Sequence, residues 1–201
     1  MRGGNNVKEI RINTKFISTL PKLNVKSMHI SSDLYILAND YLIKKYIIDD
    51  EDYLKEQEQK IEVLMNKKIK HTISALAKVY IDDKFQGGVF PYIKNAVELK
   101  RIINKDLNKE DLFNIMIKLS QALEDMHKQD IIYGDISASN IIVDMHLNPY
   151  FVDMDGAIVE GIGNSNFTEL LYGNKFVTDM TARKELDIFL LNILFVNLLS
   201  K

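Results

Sequence analysis

The chain has 201 residues, 46% of them hydrophobic and 27% charged, with a formal net charge of −2 and no cysteine. That composition predicts a folded globular protein, of one domain or two small lobes, with enough apolar residues to bury a core. It excludes disulfides, thiolate zinc sites and cysteine nucleophiles, gives no general electrostatic case for nucleic-acid binding, and suits a reducing cytoplasm.

The first twenty residues carry no apolar run of the kind that marks a secretory signal, so none is expected. Residues 11–25 resist assignment, because Pro21 interrupts any regular element. Residues 33–37 and 41–48 are rich in β-formers and are joined by Ala38-Asn39-Asp40, which predicts a hairpin. Residues 50–68 then predict an amphipathic helix, with Leu54, Ile61, Leu64, Met65 and Lys68 at steps of three and four. Two more strands are expected at 79–81 and 88–93, around a turn at 82–87.

A long helix follows over 109–128. Its stripe of Leu112, Ile115, Met116, Leu119, Leu123 and Met126 has the 3.6-residue period of core packing, not of a cofactor box. His29, His71 and His146 are scattered without zinc-ligand spacing. The last apolar run, 186–199, is shorter than the roughly 20 residues needed to cross a bilayer. Asp187, Asn192 and Asn197 interrupt it, so it reads as a buried helix and not as a membrane span.

The chemistry gathers in residues 131–156. Here an apolar strand, a polar loop, a second strand, a turn and a third strand follow in order, ending on Asp153-Met154-Asp155-Gly156. That order sets Asp135, Asn140 and Asp153 at one end of a small hairpin. An acidic, wet rim of this kind builds a poor core but can hold a divalent cation beside a phosphate.

Tyr133-Gly134-Asp135-Ile136-Ser137-Ala138-Ser139-Asn140 resembles the catalytic loop of the protein-kinase superfamily, H-R-D-L-x-x-x-N. Asp153-Met154-Asp155-Gly156 resembles its D-F-G magnesium motif with one residue changed. The intervals of five and eighteen residues from Asp135 to Asn140 and Asp153 are typical of that family.

The resemblance implies an α+β, two-lobed kinase-like fold with a reduced small lobe and a truncated large lobe. Residues 1–92 would form the β-rich small lobe and 93–201 the helical large lobe, with the hinge near Tyr92. It implies Mg-ATP-dependent phosphoryl transfer to a hydroxyl, with ATP and Mg²⁺ as cofactors. Asp135 would be the catalytic base, and Asn140 and Asp153 the metal ligands.

Tyr41-Leu42-Ile43-Lys44 resembles V-A-I-K, whose lysine grips the α and β phosphates. Glu58 and Glu62 are both candidates for the helix carboxylate that steadies Lys44. Val89-Phe90-Pro91-Tyr92-Ile93 resembles the hinge, with the Pro91 carbonyl and the Ile93 N–H meeting adenine and Phe90 at the back of its pocket. His127 would have a structural role, Asp155 would either supplement the metal or be a turn carboxylate, and Asp187 would tie the last helix to the loop backbone.

Several positions depart from the family pattern. No G-x-G-x-x-G precedes Lys44, and residues 29–33 stand roughly in its place. Tyr133-Gly134 replaces His-Arg, a form more similar to aminoglycoside phosphotransferases, RIO kinases and the small atypical kinase of the KEOPS complex. Ser137 replaces the loop lysine, and Gly173-Asn174-Lys175-Phe176-Val177-Thr178 only faintly resembles the substrate-docking segment. The chain stops after the 186–199 helix, so a protein partner covering that helix is a further expectation. The resemblance implies that the acceptor would be a serine or threonine of a protein, or a small-molecule hydroxyl. The alternatives are a pseudokinase-like nucleotide-binding or regulatory scaffold and an ATP-hydrolysing subunit of a larger assembly.

Overall fold

In the computed structural model, which describes residues 8–23, 31–102, 107–163 and 183–200, the chain divides into two compact units. One comprises Met1–Lys68 with Ser74–Lys94, the other Ile69–Ile73 with Asn95–Lys201. The first is β-rich and the second mainly helical, giving an α+β fold.

The first unit contains β1 (Glu9–Ile12), α1 (Thr14–Ile17), β2 (Ser32–Ala38), β3 (Tyr41–Tyr46), α2 (Glu51–Leu64), β4 (Ala77–Ile81) and β5 (Lys84–Pro91). Its strands form one sheet in the order β1-β4-β5-β3-β2. The alternation of strand side chains gives this sheet two faces. Ile43, Val89 and Ala77 share one row and pack with Val79, Ile81 and Ile17 of α1. Lys44, Gly88 and Lys78 share the next row, on the opposite face. Tyr46, Ile61, Ala75 and Phe85 form a second cluster, which includes a residue of α2.

Helix α2 begins where the Asp50 carboxylate accepts the Tyr53 N–H at 2.8 Å, with Glu51 and Asp52 suiting its positive end. It stops at Leu64, short of the expected residue 68, and the Asn66 side chain donates back to the Glu62 carbonyl. The segment that resisted assignment forms β1 and α1. β1 runs parallel to β4, pairing Glu9 with Lys78, a partner too distant in sequence for a local pattern to reveal. Farther on, Lys22 bridges Tyr35 at the outer edge of β2. Residues 9–23 thus run from one edge of the sheet to the other.

The β4–β5 turn is tighter than the sequence suggests. Asp82 and Asp83 alone turn the chain, both with positive φ, and β5 starts at Lys84. Gly87 lies beside the register shift in this hairpin, and a Cβ there would fall 1.9 Å from the Lys44 carbonyl oxygen. Only glycine permits that approach.

The second unit contains β6 (Val97–Glu98), α3 (Leu99–Ile102), α4 (Lys109–Lys128), β7 (Ile131–Ile132), β8 (Ile141–Val143), β9 (Pro149–Phe151), β10 (Ile158–Val159) and α5 (Lys184–Leu199). α4 has the expected bounds and buries Leu112, Ile115, Leu119, Ala122, Leu123 and Met126. At about 1.5–3 kcal/mol for each large apolar side chain, that stripe is a main source of this unit's stability. α5 buries Leu186, Asp187, Leu190, Leu191, Leu194 and Leu198. Among the described residues, no helix is long and apolar enough to cross a membrane. β6, β8 and β9 form a small sheet. The Ile69–Ile73 segment extends it, with Thr72 bridging Phe151 and the Ile73 N–H reaching the Phe151 carbonyl at 2.9 Å.

Candidate functional site

β8 and β9 pair as Ile141↔Phe151, Ile142↔Tyr150 and Val143↔Pro149. Their closed end is fixed by Asp144, whose carboxylate accepts the backbone N–H groups of His146 and Asn148 and the Asn148 amide. At the open end the Val152 N–H donates to the Asn140 carbonyl at 3.0 Å. Asn140 and Asp153 therefore leave the hairpin side by side. Asp153 is exposed and holds a left-handed backbone (φ 63°) at the start of a 3₁₀ turn over Met154–Gly156, where Asp155 is partly buried. A non-glycine residue in that conformation persists only where its surroundings hold it, often at functional sites.

The loop from 133 to 140 brings in Asp135. The Asn140 side-chain nitrogen donates to the Asp135 carboxylate at 2.6 Å and to its backbone carbonyl at 3.1 Å. The start of the loop is tied to α5: fully buried Asp187 accepts the N–H groups of Tyr133 and Gly134, each at 2.8 Å. The same carboxylate meets His127 Nε2 at 2.9 Å, which gives His127 a structural task and puts a proton on that nitrogen. Gly134 has φ 82°, a conformation that disfavours the arginine of the usual kinase loop.

Burial raises the proton affinity of the Asp135 carboxyl, the Asn140 hydrogen bond opposes the rise, and the charge of Asp153 adds to it. Its Oδ1 is buried and accepts no hydrogen bond. Tyr133 is fully buried, and burial together with the charges of Asp153, Asp135, Asp187 and Asp155 pushes ionisation of its hydroxyl far up. It stays a neutral donor. Among the described residues, no three of His, Cys, Asp and Glu converge as a metal shell. The oxygen donors here are two carboxylates and one amide.

The other residues singled out by sequence lie in the first unit. Lys44 is buried on β3, its Nζ 5.9 Å from the Tyr46 ring centroid. Phe90 and Pro91 end β5 opposite Leu42 and Tyr41, with Phe90 against the Tyr46–Ile61 cluster, and Ile93 follows, partly buried. Of residues 29–33, His29 and Ile30 lie outside the described residues, as does the 173–178 segment, while Ser32 and Asp33 open β2.

Glu58 and Glu62 both close on Lys78, at 3.1 and 3.2 Å, and the Tyr80 hydroxyl donates to Glu58. Lys78 is buried, and although burial works against its charge, the bonds to Glu58, Tyr80 and Glu62 raise its pKa well above the usual lysine range.

Sequence reasoning missed Lys78 and Tyr133. A signal for Lys78 existed: alternation in Ala77-Lys78-Val79-Tyr80-Ile81 sets Lys78 and Tyr80 on one face, and two glutamates stand one helical turn apart in the preceding helix. The fold is broadly consistent with a kinase-like architecture. No protein-family model matches the chain, and no curated protein matches it.

Proposed function

We propose that the protein is a Mg-ATP-dependent phosphotransferase acting on a hydroxyl. The observation that carries this reading is the convergence of Asp135, Asn140 and Asp153 at the open end of one hairpin, with a buried Asp135 oxygen that accepts no hydrogen bond. The nitrogen of Asn140 is spent on Asp135, so its amide oxygen is the atom left for a cation. Few ligands suit Mg²⁺, which keeps its waters and is commonly held by one or two carboxylates together with substrate phosphates.

In this reading Asn140 and Asp153 hold Mg²⁺, which when bound neutralises charge on the phosphate oxygens. Asp135 orients the acceptor hydroxyl and takes its proton as the γ-phosphoryl group passes to the acceptor oxygen and ADP leaves. A carboxyl with raised proton affinity is better matched to that task than an ordinary one. The kinase resemblance assigns Lys44 to the phosphates and Phe90, Pro91 and Ile93 to the adenine of the nucleotide. A protein serine or threonine is the default acceptor class.

The test is thermal stability of the purified chain with ATP, with and without Mg²⁺. A ligand that binds only the native state raises the melting temperature, so ATP should stabilise the wild type only with the metal present. Asp153→Ala should erase the metal-dependent part. An equal ATP shift with and without Mg²⁺ would sink the assignment.

A further inference from the structure

We infer that Tyr133 is the positioning residue for Asn140 and Asp153, holding both at the spacing a cation requires. The inference rests on the phosphoryl-transfer reading above. Its hydroxyl donates to the carbonyl of Val152, the residue just before Asp153, and lies 3.3 Å from the carbonyl of Asn140 itself. One oxygen thus bridges the two strand ends at the point where the two side chains emerge.

The bridge is rigid at both ends. The Tyr133 N–H is fixed on Asp187, and its ring packs on Phe151 with centroids 4.9 Å apart. The ring is fully buried, so water cannot replace the hydroxyl without a cavity to enter. The bond to the Val152 carbonyl also fixes the peptide plane between Val152 and Asp153. Rotation of that plane about the N–Cα bond is the φ of Asp153, which sits at 63°. Without the hydroxyl the plane is free to relax toward the ordinary negative-φ region, carrying the Asp153 carboxylate with it. Structural glue would need only the ring; here the polar end reaches the carbonyl of one residue assigned to the metal, Asn140, and the carbonyl that leads into the other, Asp153.

The experiment uses the full chain with ATP and Mn²⁺ in place of Mg²⁺, and reads Mn²⁺ affinity from water-proton relaxation. Tyr133→Phe keeps the ring and removes one oxygen. Ile115→Val trims a fully buried α4 side chain in the same unit and serves as a control for lost stability alone. The expected result is that both lower the melting temperature, while only Tyr133→Phe weakens Mn²⁺, by roughly 10-fold or more, as loss of a group that orients metal ligands does. Unchanged affinity in Tyr133→Phe, or equal weakening in Ile115→Val, overturns the inference. Asp153→Asn separates the two levels: equal Mn²⁺ binding by this variant and the wild type brings down the phosphoryl-transfer reading itself, and the role of Tyr133 with it.

Discussion

Each unit carries a charged cluster built on carboxylates, and the two end in opposite states. In the first, Lys78 sits between Glu58 and Glu62, and Tyr80 completes Glu58, so the charges answer one another within the fold. In the second, Asp135 is partly buried near the charge of Asp153 and keeps one oxygen without a hydrogen bond. A buried polar atom left unmade costs the fold about 1–3 kcal/mol, so the second cluster is maintained at the expense of stability. The contrast separates a cluster that fastens a helix to a sheet from one that keeps an acceptor atom without a hydrogen bond, which on the proposed function is where the acceptor hydroxyl would sit.

The sharpest way to break the comparison is Asp187→Ala. This carboxylate belongs to the second unit yet is fully satisfied, and its loss strands two buried N–H groups and His127. The expected cost is about 3–5 kcal/mol in urea unfolding, the range for removing one partner of a buried charged contact. A loss under 1 kcal/mol would show that the loop does not depend on α5.

Lys78→Met comes next. Side chains of Glu58 and Glu62 are 30% and 48% exposed, so the cost is smaller, about 1–3 kcal/mol, with little change in ATP affinity. Lys44→Ala should show the reverse emphasis and weaken ATP binding. Lys45→Ala, one residue along the strand and pointing to the other face, should be nearly silent. Equal behaviour of the two β3 lysines in a nucleotide-binding assay would remove Lys44 from the reading.

The smallest effect is a gain. Burial and the Asp153 charge raise the folded-state proton affinity of Asp135, so its contribution to stability is fully present below the unfolded carboxyl value of about 3.9. That contribution is lost as pH rises through the folded value. At neutral pH the ionised group is therefore a burden, and Asp135→Asn should melt at a higher temperature than the wild type. The gain should shrink as the pH is lowered toward 4. A lower melting temperature at neutral pH would mean that the charge is compensated in the fold.

The sequence disclosed what is local. The bounds of α4 follow from its apolar stripe, and the placing of Asn140 and Asp153 at one end of a hairpin follows from the order of two short strands and the turn between them. What it hid depends on distant partners. β1 is four residues long and is defined by β4, far along the chain. The choice of Lys78 by Glu58 and Glu62 depends on which strand α2 covers, and the placement of Ile69–Ile73 with the second unit depends on β9. The grip of Tyr133 on two carbonyls was likewise invisible, because sequence motifs record side chains and not the backbone groups they hold.

The central claim is that Asp135 acts on an acceptor hydroxyl beside a metal-bound nucleotide. It is tested most directly by measuring ATP affinity and γ-phosphoryl transfer together, in the wild type and in Asp135→Asn, with Mg²⁺ and a panel of hydroxyl acceptors. The account predicts nearly unchanged ATP affinity and transfer reduced by roughly 10²–10⁴-fold, the range for a positioned general base. Transfer that survives Asp135→Asn undiminished, or a wild type that binds Mg-ATP and transfers to no acceptor, would contradict it.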